Sequence, residues 1–226
     1  MILFSRCLIR MHWDELEVFD PYEVPPNFSC IAYGARGSGK SSWIAWMAFY
    51  RQHDYKDCYV FSSTSFIGFY QAFMPEHHVF TAFDEKICQM IVDNKKTNGS
   101  GNVMIVLDDV LDSMSDIRRS KSLITLFTYG RHFNIAVIVA TQYPLALPPC
   151  FRRNVDVAVI FGSLSVDTWD QQYKEYGFKL SRAEFDHLCD RYCFSGGYKA
   201  LIVLPTKKSA DVKDLYKYTD ANPAEI

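Results

Sequence analysis

The chain has 226 residues, 24 of them basic and 26 acidic, and its net charge of −2 excludes an overall positive field for holding nucleic acid. Hydrophobic residues make up 49% of the chain and aromatic residues 15%, which is enough for a buried core and argues against disorder. Seven cysteines without a C-x-x-C pair favour reduced thiols, and no segment reaches the roughly 20 apolar residues of a membrane span. We therefore expect one domain over residues 1–226, with no membrane partner.

The amino-terminal segment contains apolar residues interrupted by Arg6 and Arg10 and lacks a signal-peptide cleavage pattern. It predicts a first strand within an arm over residues 1–20, ahead of a core over residues 21–226. Pro and Gly clusters predict loops, including an exposed flexible loop over residues 94–102 and another loop over residues 144–149.

Strand-like and helix-like segments alternate along the core. Short, continuous apolar runs predict buried strands at residues 29–33, 58–61, 103–107, 135–140, 155–161 and 200–204. Helical spacing of apolar residues predicts helices at residues 41–53, 83–94, 120–129, 167–176 and 181–192. This alternation favours an α/β fold with a mostly parallel central sheet, helices on both faces, and ligands at the carboxyl ends of the strands.

A glycine-rich segment follows the first predicted core strand and matches G-x-x-x-x-G-K-[ST] at every specified position. It comprises Gly34, Ala35, Arg36, Gly37, Ser38, Gly39, Lys40 and Ser41. The glycines allow backbone amides to surround phosphates, Lys40 would reach the β and γ phosphates of ATP, and the Ser41 hydroxyl would ligate Mg²⁺. Ser42 either shares the hydroxyl role or is an ordinary helix residue.

The predicted strand at residues 103–107 is followed by two carboxylates, Asp108 and Asp109. This pattern is typical of the second nucleotide motif of phosphate-loop enzymes. Asp108 would hold Mg²⁺, and Asp109 would orient or deprotonate the attacking water. Gln142, two residues after the predicted strand at residues 135–140, is the candidate sensor of the γ phosphate or the water.

These segments together resemble the FtsK–HerA superfamily of pumping ATPases, and within it the poxvirus-type genome-packaging ATPases of large DNA viruses and virophages. The resemblance rests on five segments in order: G-A-R-G-S-G-K-S (34–41), V-L-D-D-V (106–110), Y-G-R-H-F-N-I-A-V-I-V-A-T-Q (129–142), F-R-R-N (151–154) and L-Y-K-Y (215–218). It covers the chain from about residue 21 to the end, and the G-R-H-x-N-I segment that ends in T-Q is its most specific part.

The resemblance implies a three-layer P-loop fold with an additional strand, of the RecA/FtsK type, assembled as a homo-oligomeric ring. It also implies ATP with Mg²⁺, and sequence-independent pumping of double-stranded DNA into a capsid. The partner would be a viral capsid vertex or portal protein, and the location would be the virion and the assembly site in the host cytoplasm. By position, Lys40 and Ser41 bind nucleotide, Asp108 binds magnesium, Asp109 is the base and Gln142 is the sensor.

Ring ATPases commonly use an arginine from a neighbouring subunit to neutralise transition-state charge. Arg131, Arg152 and Arg153 are the candidates, and Arg152 is slightly favoured because it lies in a predicted loop. Arg36 within the phosphate loop would instead act in its own subunit. Each of these arginines could also be an ordinary surface residue.

Local basic segments are the candidate DNA contacts. Arg118, Arg119 and Lys121 follow the acid pair and would bind phosphates without reading sequence. Two further basic pairs are present at residues 95–96 and 207–208. Such clusters are more often solvated surface than a DNA-binding pore.

Two other functions remain open from the residues alone. A P-loop nucleoside or nucleotide kinase needs the same loop but normally an arginine-rich lid as well, and no such lid is evident. A nucleotide-gated assembly protein would not need Asp109 and Gln142 in addition to Lys40.

Overall fold

The computed structural model describes residues 16–63, 67–110, 120–142, 147–162, 165–194 and 198–221, so the predicted strand at the amino terminus lies outside the described residues. Within these ranges eight strands form one sheet, in the order β3-β2-β4-β5-β1-β6-β7-β8. The strands are β1 (Ser29–Tyr33), β2 (Asp57–Ser62), β3 (Val79–Phe80), β4 (Val103–Asp108), β5 (Ile135–Thr141), β6 (Val157–Ile160), β7 (Lys199–Val203) and β8 (Tyr216–Asp220).

The predicted mostly parallel sheet is confirmed. Every neighbouring pair from β3 to β6 is parallel, whereas β7 runs antiparallel to β6 and β8 antiparallel to β7. All six predicted strands are present, with β6 shorter than expected, and β3 and β8 were not predicted. Val18 pairs with Tyr218, so the described part of the amino-terminal arm lies along β8.

The helices are α1 (Lys40–Arg51), α2 (Ile67–Phe73), α3 (Glu85–Asn98), α4 (Lys121–Tyr129), α5 (Pro149–Arg153), α6 (Val166–Tyr176) and α7 (Arg182–Cys193). The five predicted helices are confirmed, and α2 and α5 are additional. Ser181 and Glu184 form the predicted capping box of α7. No helix in the described ranges is long and apolar enough to cross a membrane.

The prediction of a flexible loop over residues 94–102 is wrong for its first half, because α3 continues to Asn98. The ammonium of Lys95 donates to the carbonyls of Gly99, Ser100 and Gly101, and this side chain is buried. Carbonyls beyond the end of a helix need donors, and a lysine there also complements the helix dipole. Lys95 therefore caps α3 and is not available to a DNA phosphate.

The core lies on both faces of the sheet, as alternating side chains of each strand require. On one face Ile31 and Leu107 join a cluster that includes side chains of α3, α4, α5, α6 and α7. On the other face Ala32 and Val106 join a cluster that includes Trp43 of α1 and Tyr70 of α2. The described residues therefore form a three-layer α/β fold.

The sheet order puts β5 between β1 and β4, and all three are parallel. Tyr33 at the end of β1 pairs with Thr141 at the end of β5, and the amide of Gly34 donates to the Thr141 carbonyl at 3.3 Å. The carboxyl ends of the three strands thus form one edge. This is the additional-strand arrangement that the resemblance implies.

A buried carboxylate joins the opposite edge of the sheet, where β1 and β6 begin. Asp156 Oδ2 accepts hydrogen bonds from the Ser29 amide (2.9 Å) and the Ser29 hydroxyl (3.1 Å). Its Oδ1 accepts from Thr206 (2.9 Å) and from the Arg131 guanidinium (2.6 Å). Asp156 therefore ties together residues that are far apart in the sequence.

We predict that Asp156→Ala lowers the free energy of unfolding by about 2–3 kcal/mol, because it leaves the buried Ser29 amide without an acceptor. Urea unfolding at neutral pH measures this change. Asp190→Ala, an exposed carboxylate on α7, is the matched control and should change stability by less than about 0.5 kcal/mol. Equal stabilities for the two variants would contradict a structural role for Asp156.

Candidate nucleotide site

The phosphate loop connects β1 to α1 through residues 34–39. Gly37 (φ 75°) and Gly39 (φ 100°) adopt the left-handed backbone that glycine tolerates. A Cβ on Gly34 would lie 2.5 Å from Ser38 Oγ and 2.7 Å from Phe161 Cβ, so no larger residue fits there. Gly39, the residue at the start of α1, has no side chain with which to cap the first turn. The first amides of α1 are therefore available to an anion.

Lys40 is the first residue of α1, and its side chain folds over the loop. Its ammonium donates to the carbonyls of Gly34 and Ala35, both at 2.9 Å. Burial lowers the pKa of Lys40, and the carboxylates of Asp109 and Asp108 oppose this shift. The lysine thus brings a positive charge to the loop at a place of low solvent exposure.

The phosphate loop and the acid pair are joined by a hydrogen bond from Ser41 Oγ to Asp108 Oδ1 at 2.9 Å. The other carboxylate oxygen accepts from Tyr70 at 3.3 Å and from Ser62 at 3.5 Å. Burial raises the pKa of Asp108, and the hydrogen bond from Ser41 opposes this shift. These donors hold the carboxylate in one orientation.

The oxygen atoms of Ser41 and Asp108 are suitable ligands for a magnesium ion. Mg²⁺ takes hard oxygen ligands, usually one or two from protein side chains with phosphates and waters completing the octahedron. The hydroxyl of Ser41 and the carboxylate of Asp108 supply such oxygens side by side at the phosphate loop. When bound, the ion would neutralise charge on the phosphates.

Asp109 carries the second carboxylate of the pair, which lies beside the phosphate loop. β4 ends at Asp108, and Asp109 has φ 57°, a left-handed conformation that is uncommon for a residue with a side chain. The Ser63 hydroxyl donates to the Asp109 carbonyl at 2.7 Å, and Gln142 Nε2 donates to Asp109 Oδ1 at 3.4 Å. The ends of β2, β4 and β5 thus meet at one residue, Asp109, whose carbonyl contacts Ser63 and whose carboxylate contacts Gln142.

These elements enclose a cleft of about 690 Å³. Its lining residues are Arg36, Gly37, Gly39, Lys40, Ser41, Ser42, Ser63, Asp109, Gln142 and Tyr198. Among the predicted nucleotide- and magnesium-binding residues, Gly34, Ala35 and Ser38 belong to the loop but do not line the cleft, and Asp108 is buried beneath it.

Sequence reasoning missed Ser63 and Tyr198. Ser63 directly follows β2, so the rule that ligands bind at strand ends could have found it. Tyr198 precedes β7, and the antiparallel direction of this strand brings its beginning to the ligand edge. No local sequence signal marks that direction.

The candidate arginines differ in their surroundings. Arg152 lies on α5, so its prediction as a loop residue is wrong. It forms an ion pair with Glu175 at 3.2 Å, and its side chain is only 9% exposed. Arg131 pairs with Asp156 at the edge opposite the phosphate loop, and its side chain is 50% exposed. Arg153 is exposed on α5.

The candidate DNA-binding residues are only partly described. Arg118 and Arg119 lie outside the described residues, whereas Lys121 is exposed at the start of α4. Lys207 forms an ion pair with Glu23 at 3.4 Å.

We predict that nucleotide binding and hydrolysis separate by mutation. Lys40→Ala should lose affinity for magnesium-ATP, because a buried cation of the phosphate cradle is removed. Asp109→Asn should bind magnesium-ATP but release phosphate at least about a hundredfold more slowly, as expected when a general base is lost. Asparagine tolerates the left-handed backbone at this position, so the fold is preserved.

Calorimetry gives the affinities and a phosphate-release assay gives the turnover. Lys86→Ala, an exposed lysine in the first turn of α3, is the control for Lys40→Ala. Near-normal turnover by Asp109→Asn would show that this carboxylate is not the base.

Comparison with known proteins identifies relatives in large DNA viruses. Residues 24–172 match the family described as "Poxvirus A32 protein". "Uncharacterized protein 015R" of Frog virus 3 (isolate Goorha) is 27% identical over 191 residues, which cover 81% of this chain and 58% of that protein. "Uncharacterized protein 088R" of Invertebrate iridescent virus 3 is 28% identical over 194 residues, 83% of this chain and 73% of the relative. The chain thus spans less than two thirds of the Frog virus 3 protein.

Solved structures share the fold. The genome packaging NTPase B204 from Sulfolobus turreted icosahedral virus 2, in complex with ATPγS, superposes with a TM-score of 0.62 at 13% identity, covering 87% of this chain and 98% of B204. The pCW3 conjugation coupling protein TcpA with ATPγS superposes with a TM-score of 0.59 at 16% identity, covering 87% of this chain and 60% of TcpA. Because the family match extends over about two thirds of the chain, this P-loop protein belongs to the Poxvirus A32 protein family.

Proposed function

We propose that the chain is an ATPase that couples ATP hydrolysis to the translocation of viral double-stranded DNA into a capsid. The observation that carries the proposal is the cleft in which one chain gathers a phosphate loop, the Ser41–Asp108 pair and the Asp109–Gln142 pair. Membership of the Poxvirus A32 protein family supports it. The fold shared with B204, a genome packaging NTPase, supports the same conclusion.

The residues of the cleft divide the chemistry of hydrolysis among them. The α1 amides and Lys40 hold the phosphates and offset their charge. Ser41 and Asp108 are the residues that would hold Mg²⁺. Asp109 takes the proton of the attacking water, and Gln142 orients that water toward the γ phosphate. These two side chains favour water as the acceptor, which separates this proposal from a kinase.

DNA contacts are local in this proposal, because the net charge of −2 provides no general attraction to DNA. Lys121 is exposed, and Arg118 and Arg119 precede it in the chain. These cations bind phosphates irrespective of base sequence. The partners are a viral capsid vertex or portal protein, and the protein acts at the assembly site in the host cytoplasm and in the virion.

The working form is a homo-oligomeric ring in which a neighbouring subunit supplies an arginine. The ion pair and low exposure of Arg152 make its side chain costly to extend across an interface. Arg131 also forms an ion pair, with Asp156, but its side chain is half exposed and lies at the edge opposite its own phosphate loop. Arg131 is therefore the better candidate for the cleft of another subunit.

Displacement of a third strand from a DNA triplex tests translocation directly. We predict that the wild-type protein with magnesium-ATP displaces the strand, because ATP turnover moves the protein along the duplex. The Asp109→Asn variant should bind ATP without displacing the third strand. Strong ATP hydrolysis without any displacement would contradict translocation while leaving the ATPase assignment intact.

A mixing experiment tests the shared site. Arg131→Ala and Lys40→Ala proteins should each be nearly inactive. A 1:1 mixture should recover about a quarter of the wild-type phosphate release, because a complete site needs a subunit that retains Lys40 next to a subunit that retains Arg131. In randomly mixed closed rings, about one site in four has this pairing. Thr206→Val, which removes another hydrogen bond to Asp156 but no arginine, should remain active. If mixed rings form and no activity returns, Arg131 does not act between subunits.

A further inference from the structure

Tyr198 is an aromatic residue of the cleft that the proposed chemistry does not use. It immediately precedes β7, and its side chain is partly exposed at 37%. The Ala221 amide donates to the Tyr198 carbonyl at 3.4 Å, so the backbone here is connected to the end of β8. Among the described residues that line the cleft, it is the only one with an aromatic ring.

The Tyr198 ring lies beside the end of the phosphate loop. A Cβ placed on Gly39 would be 3.5 Å from Tyr198 Cδ1 and 3.4 Å from Phe161 Cε1. These are ordinary van der Waals distances. The ring therefore borders the start of α1 directly, within reach of a molecule whose phosphates occupy the loop.

The order of the strands fixes which end of a nucleotide faces this ring. β5 and β4 lie on one side of β1 and carry Gln142 and Asp109, whereas β6 and β7 lie on the other side. A triphosphate in the loop with its γ phosphate toward Asp109 extends its nucleoside toward β6 and β7. Tyr198 lies on that side.

We propose that the Tyr198 ring stacks on the base of a bound purine nucleoside triphosphate. This inference rests on the proposed nucleotide-binding function of the cleft. Stacking on an aromatic face uses the π surface that every base has, so it provides affinity with little discrimination between adenine and guanine. Tyr198 thus contributes base affinity, separately from the phosphate contacts of Lys40.

Binding of three magnesium-loaded ligands, ATPγS, GTPγS and inorganic tripolyphosphate, tests the assignment. Tyr198→Ala should weaken ATPγS and GTPγS about tenfold, as expected for the loss of one base–aromatic stack, and leave tripolyphosphate within about twofold. Tyr198→Phe should restore both nucleotides, because the ring and not the hydroxyl makes the contact.

Tyr50→Ala is the matched control. Tyr50 is 40% exposed and lies ten residues after Lys40 on α1, about 15 Å along the helix. This variant should bind all three ligands as the wild type does. Unfolding curves for the variants check that each remains folded.

Two results would overturn the inference. Unchanged ATPγS affinity in Tyr198→Ala would put the base elsewhere, and an equal loss for tripolyphosphate would mean that Tyr198 supports the loop at Gly39. Failure of the wild type and of Tyr50→Ala to bind any nucleotide would instead overturn the proposed function, and the base assignment with it.

Discussion

The parallel pairing of β5 between β1 and β4 is the constraint on which the site depends. Neighbouring strands lie about 4.8 Å apart, so the ends of β1 and β4 are about 10 Å from each other. Side chains must bridge that gap, and the hydrogen bond from Ser41 to Asp108 does so. The central strand delivers Gln142 to the same edge, next to Asp109. A different strand order would separate the phosphate loop from its carboxylates.

The site retains two charged groups at low exposure, which is costly unless each group is hydrogen-bonded. Asp108 is fully buried and accepts from Ser41, Ser62 and Tyr70. The Lys40 ammonium donates to two loop carbonyls. Because strands and a helix hold these groups in position, little reorganisation is needed when charge develops on a substrate, and such preorganisation is a major source of catalysis.

The sequence predicted the elements that are encoded by the types and spacing of neighbouring residues. The phosphate loop and the acid pair are defined by residue type and spacing, and five of the parallel strands contain continuous apolar runs. β8 was not predicted, because the polar residues Lys217 and Thr219 alternate with its tyrosines. Both polar residues are nevertheless buried, and Lys217 forms an ion pair with Glu17. The direction of β7 and the ion pair of Arg152 depend on tertiary packing. Tyr198 was missed for that reason.

In the proposed function, the cleft hydrolyses ATP in an assembly that acts on DNA. Phosphate release, measured with and without double-stranded DNA at two protein concentrations, tests it most directly. We expect release per subunit to increase with DNA and to increase further at the higher concentration, because neighbouring subunits complete the sites. Phosphate release that is absent, or that is the same in all four conditions, would contradict it.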